Sequence, residues 1–160
     1  MDRAEYLNGV NEFMYQGEVF GEALLNAYVE LEEDPDRLFK WATLLQLETE
    51  TKARLRPFMV RLGLSVAQAD MRAAIAGYVS AFTSKSWRQH MEEVATLTAF
   101  YIEKFKELEN TSVDSERDVT HSMVVHETAI NTFAKLELAG DAAGSLNDVA
   151  ALLRYPLPRR

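Results

Sequence analysis

The sequence predicts an all-α protein whose long helices pair antiparallel, and three observations predict it. Apolar residues recur at helical spacing through four long stretches. Capping and breaking residues stand at the ends of those stretches. The connection around Asp34-Pro35 is so short that the first two helices must lie side by side.

The first helix is expected over residues 2–31, with Tyr6, Val10, Phe13, Gly17, Phe20, Gly21, Leu24, Tyr28 and Leu31 along one face. Gly17 and Gly21 each weaken an isolated helix, so both are expected where a neighbouring helix approaches closely. Asp34 is a good N-cap, Pro35 suits the first helical position, and acidic residues favour a helix start. The second helix therefore starts there and runs to Leu62, bent at Pro57, where an N–H is missing. Gly63 stops it. A shorter helix is expected over residues 66–82, with Ser65 as its cap. Ser86 and Gln89 have capping-box spacing and open the third long helix, residues 87–108. The fourth covers 115–139, with Gly140 as its stop. A short helix over 146–153 and an extended tail, YPLPRR, complete the chain. Two antiparallel pairs joined by the long segment 63–86 make a four-helix bundle with a helical crossover between helices 2 and 3. At 160 residues this suits one domain, with the bundle over 2–140 and the short C-terminal helix and tail over 141–160.

The net charge of −8 argues against sequence-independent nucleic-acid binding and against docking on an anionic membrane. With no cysteine, disulfides, thiol catalysis and cysteinyl metal sites are excluded. The N-terminus has no apolar run of signal-peptide length, and nowhere do about 18 apolar residues run together. A cytoplasmic protein is expected.

The chemistry is expected at the middle of the bundle. Residues Trp41, Leu44, Leu45, Leu55, Met59 and Leu62 share one face, and Glu48 lies within roughly 20° of its centre line. A carboxylate there loses its water, which costs several kcal/mol unless a metal, a cation or a proton compensates. Glu18, at the edge of the first stripe, and His126, central in the fourth, also sit near the midpoints of their helices. Midpoints share a level in an antiparallel bundle, so these three are expected to meet. His90, Glu93 and Glu127 are weaker candidates, His90 and Glu93 from one or two turns away along helix 3 and Glu127 from the flank of helix 4. Lys52, one turn after Glu48, is a rival partner for it. Glu137 also faces inward, toward the last helix or a subunit neighbour, whereas His121 turns outward. No Gly-x-Ser-x-Gly elbow and no glycine-rich phosphate loop is present.

At these residues the chain resembles the ferritin-like superfamily, in particular its small rubrerythrin-like members. That family draws a Glu from helix 1, Glu-x-x-His from helix 2, a Glu from helix 3 and Glu-x-x-His from helix 4, and holds two metal ions, usually iron. Here Glu18 matches the first carboxylate and Glu48 the Glu of the second motif, where Thr51 replaces the His. His126 matches the His of the last motif, where Met123 replaces the Glu. A second registration puts Glu127 in the Glu position, with Ile130 where the His belongs. Helix 3 has Leu97 and Thr98 at that level. The stretch HETAINTFAKLELAG also resembles such proteins. The resemblance implies iron or another divalent metal, and metal-dependent oxidoreductase chemistry if the chain is an enzyme. Two carboxylates and one imidazole suit one metal with open positions rather than the family's full pair.

Two other readings stand beside it. One is a metal-free scaffold of the same fold, with a Glu–Lys–His network at its centre, acting through a homodimer or a protein partner. The other is a helical enzyme or carrier for a small organic molecule, resembling haem-oxygenase or thiaminase-like folds. No motif names a substrate.

Overall fold

The computed structural model describes residues 1–157, and its regular secondary structure among them is helical throughout. Helix α1 (Arg3–Gly9) passes through a π-helical turn (Val10–Tyr15) into α2 (Gln16–Leu31). There follow α3 (Pro35–Arg61), α4 (Arg72–Ala81), α5 (Trp87–Thr111), α6 (Asp114–Ala139) and α7 (Asn147–Leu152). The most extensive packing is α5 on α6 and α2 on α3. Contacts of the π-helical turn with α5, and of α3 with α6, join the two pairs. Helix α4 lies on α2, and α7 lies on α6 and α3.

The caps explain where these helices begin and end. Asp34 accepts from the backbone N–H groups of Asp36 and Arg37, with Pro35 at the first helical position. Ser86 and Gln89 form a reciprocal capping box on α5. Asp2 and Glu5 form another on α1. Gly63 and Gly140 adopt positive φ, 72° and 83°, where a side chain would be strained, and close α3 and α6.

Two expectations are corrected. Residues 66–71 are not helical, and α4 starts only at Arg72. Ser65 does accept from the Ala67 N–H, but no helix follows. The segment is held instead by the first helix: Tyr15 donates to the Val66 carbonyl, Gln16 donates to that of Ala67, and the Ala69 N–H donates back to Gln16. The helix over 2–31 is also not uniform. The π-helical turn inserts one residue's worth of rotation, so the buried face moves from Phe13 and Gly17 to Met14, Tyr15 and Glu18. That is why Glu18, expected at the stripe's edge, is fully inside. Of the tail, residues 158–160 lie outside the described residues. Just before them the Arg154 N–H donates to Glu50, and Gln46 donates to the Tyr155 carbonyl.

The apolar interior falls into two clusters. One gathers Tyr28, Trp41, Leu44, Met91, Ile130 and Phe133. The other gathers Tyr6, Met14, Leu55, Met59, Phe105 and Met123. Each fully buried side chain of this size contributes about 1.5–3 kcal/mol, enough for two such clusters to offset a few costly polar groups. Of those groups, Glu48 on α3 and His126 and Glu127 on α6 lie between the clusters in the order of their helices, and Glu18 lies at the edge of the second cluster beside Val19.

Candidate functional site

Helix α2 supplies Glu18, α3 supplies Glu48 and α6 supplies His126, all buried, with Glu18 2% and His126 1% exposed. One donor atom from each lies within 4.8 Å of the other two. His126 Nε2 is 3.5 Å from Glu18 Oε1 and 3.6 Å from Glu48 Oε1. Neither approach is a hydrogen bond, and His126 Nε2 is enclosed with no partner, as is the other Glu18 oxygen, Oε2. Leaving a buried polar group unmatched costs about 1–3 kcal/mol, and here two neighbouring side chains each carry such an atom.

Thr51 Oγ1 lies 3.1 Å from His126 Nδ1. When Nδ1 carries the ring proton it donates to that hydroxyl, and Nε2 then presents a lone pair to the carboxylates. Thr51 thus orients the imidazole from the position where the resembled family has a ligand His.

Burial, then the charge of Glu48 and a hydrogen bond to it, raise the Glu18 carboxyl well above its ordinary value of 4.5, and Glu127 adds to the shift. Glu127, 8% exposed, is raised by burial first and by Glu48 second. Its Oε2 also lacks a hydrogen-bond partner. The sequence put Glu127 on the flank of α6; the structure buries it beside its neighbour His126, because α6 is covered on a broad face. Glu48, Glu127, Thr98 and Tyr101 line a cavity of about 70 Å³. The Tyr101 hydroxyl is pushed up to about 12, by burial and then by Glu127 and Glu48. Thr98, at the level where helix 3 of the resembled family bears a carboxylate, accepts from Asn131 at 2.8 Å and donates to the Val94 carbonyl.

The expected rival, a Glu48–Lys52 pair, does not form. Lys52 turns to Glu22, with which it makes an ion pair, and to Gln68. Burial alone would raise Glu22, but hydrogen bonds from Lys52 and Thr49 outweigh it and hold it below the ordinary range. Helical periodicity placed Lys52 inside correctly and could not say which neighbouring helix its stem would reach. Gly21 gives Glu48 its room: a Cβ there would lie 2.7 Å from the Glu48 carboxylate. Gly17 faces the Tyr101 ring in the same way, at 3.4 Å.

His90 and Glu93 are not brought to this cluster. They line a separate pocket, with His90 packed among Tyr28, Trp41 and Phe82. His121 is exposed and bonds Glu109 at 2.8 Å. Glu137 is held by Lys40, Trp87 and, just ahead of α7, Ser145. No helix among the described residues is long and apolar enough to cross a membrane.

No protein-family model, curated protein or solved structure matches this chain.

Proposed function

We propose that this chain is a ferritin-like, antiparallel four-helix bundle that holds one divalent metal ion, iron foremost, between Glu18, Glu48 and His126. The observation that carries the reading is the pair of enclosed, unpartnered donor atoms, Glu18 Oε2 and His126 Nε2, beside a second carboxylate and with no lysine among them. Ligand atoms around a small divalent ion stand about 3–3.4 Å apart, so closing the cluster takes shifts of ångström size. Oxygen-rich donors with one imidazole suit iron, manganese or zinc. Glu18 gives up its proton on binding, which makes affinity rise with pH. Thr51 fixes the imidazole, and Gly21 leaves space for the Glu48 carboxylate. Bound iron or manganese would supply a redox-active Lewis acid, and any enzymatic activity would then be oxidoreductase in class.

Elemental analysis tests this. Untagged protein loaded with Fe(II), Mn(II) or Zn(II) and desalted should retain one ion per chain, lost in Glu48→Gln and His126→Ala. No retained ion under any loading sinks the metal reading.

A second reading, a metal-free scaffold acting through homo-oligomer or partner contacts, is favoured by one observation. Helix α4 buries none of its ten residues, an open face for a second copy. A metal-free Glu18–Glu48 pair sharing a proton satisfies the centre in that case. Light scattering on wild-type protein and on Ala76→Glu tests its homo-oligomer form: a dimer disrupted by the α4 charge supports it, and a monomer removes that form.

A further inference from the structure

A pocket of about 480 Å³ opens beside the centre, within the size range of small-molecule sites. Tyr28, Trp41 and Tyr78 contribute aromatic walls. Leu24, Leu25, Val94 and Leu97 line both this pocket and the inner cavity at Glu48.

Two of its buried polar atoms are acceptors left without a partner. His90 is 4% exposed, and its Nε2 lies 3.1 Å from the Phe82 carbonyl oxygen. A carbonyl oxygen can only accept, so Nε2 carries the proton, and in the neutral ring Nδ1 is a bare lone pair. Burial keeps the ring neutral by lowering its pKa, against the smaller opposing effect of the Phe82 hydrogen bond. Nδ1 is enclosed and unpartnered, as is Oε2 of Glu93, three residues later on α5. Residues so spaced are neighbours on a helix surface. Lys85, the cation of the lining, is spent on the other oxygen of Glu93 at 2.6 Å, and Glu92 pairs with Arg88. No donor of the protein reaches these two acceptors.

We propose that this pocket binds a small organic amine, its apolar body among Tyr28, Trp41 and Tyr78 and its N–H groups donating to His90 Nδ1 and Glu93 Oε2. An ammonium suits both ends of that arrangement, since aromatic faces attract cations and a carboxylate oxygen accepts its protons. The net charge of −8 favours its approach. The site uses none of Glu18, Glu48 and His126, so it stands or falls apart from the metal reading.

Calorimetric titration of the untagged full chain with phenethylamine and phenylbutylamine, against phenylpropanoate as the anionic shape control, tests it. Binding should saturate at one amine per chain, change Trp41 fluorescence, and exceed that of the acid by at least about tenfold. His90→Phe, which keeps an aromatic ring and removes the acceptor, and Glu93→Gln should each weaken the amine by about tenfold. If His90→Phe does not fold, Glu93→Gln carries the test, because that side chain is 40% exposed. No saturation by either amine, equal binding of the acid, or unchanged affinity in the folded variants overturns the proposal.

Discussion

Two buried glutamates in this molecule have opposite fates. Glu137, its side chain 3% exposed, accepts from Lys40 Nζ at 2.7 Å, Trp87 Nε1 at 2.8 Å and Ser145 Oγ at 2.5 Å. Burial would raise its carboxyl, but those hydrogen bonds outweigh the desolvation and hold it below the ordinary range. Glu18, set deeper in the interior, faces Glu48 and Glu127 and is raised instead. Depth accounts for part of the difference and provision of donors for the rest. Where the chain spends a lysine, a tryptophan and a serine on one carboxylate, the result is a tie between α3, α5, α6 and the turn ahead of α7. Where it spends none, the carboxylate is left for something else.

The largest effect should come from breaking the provided site. Glu137→Ala strands the Lys40 ammonium, 12% exposed, in the interior, and should lower stability by about 3–5 kcal/mol in urea unfolding. The matching change at the centre should run the other way. Without metal, Glu18→Gln removes a carboxyl whose charged form burial and Glu48 disfavour, and should raise stability at neutral pH by about 1–2 kcal/mol while abolishing metal retention. A loss of stability there would show that Glu18 already has its partner.

The pH dependence should separate the two further. The folded-state pKa of Glu137 lies below 4.5, so its contribution is present above that value and lost as pH falls through the depressed one. Glu18 is raised, so its contribution is complete below 4.5 and lost as pH rises toward its folded value. Wild type minus Glu137→Gln should therefore lose stability on acidification, and wild type minus Glu18→Gln on alkalinisation above pH 4.5. Parallel curves would erase the contrast. The smallest change in stability is expected from Gly21→Ala. Helix propensity gains about 1 kcal/mol, offset by displacement of the Glu48 carboxylate, which lies 2.7 Å from the new Cβ. Net stability should move by less than about 1 kcal/mol, yet metal retention should fall. Unchanged retention would mean that the carboxylate has room to spare.

Much of this was legible in the sequence because it rests on local chemistry. Asp34-Pro35, Ser86 with Gln89, Gly63 and Gly140 mark helix ends by groups within a few residues of one another. The meeting of Glu18, Glu48 and His126 followed from their midpoint positions in long helices. What was not legible depends on partners far along the chain. Residues 66–71 have helical spacing but spend their backbone groups on Tyr15 and Gln16. Lys52 sits inside, as its spacing implies, but its stem ends at Glu22 on another helix. The depth of Glu127 depends on how broadly α6 is covered, which no pattern along α6 itself reports.

The π-helical turn at Val10–Tyr15 makes the centre sensitive to chain length in a way that substitutions do not probe. It works as a phase adjuster: removal of one residue from it would restore ordinary helical winding and rotate α1 by roughly 100° relative to α2. Tyr6 could then no longer face Glu116 while Glu18 faces His126. A chain that kept Glu18, Glu48 and His126 but lost that single residue would have to choose between a packed end and an assembled centre.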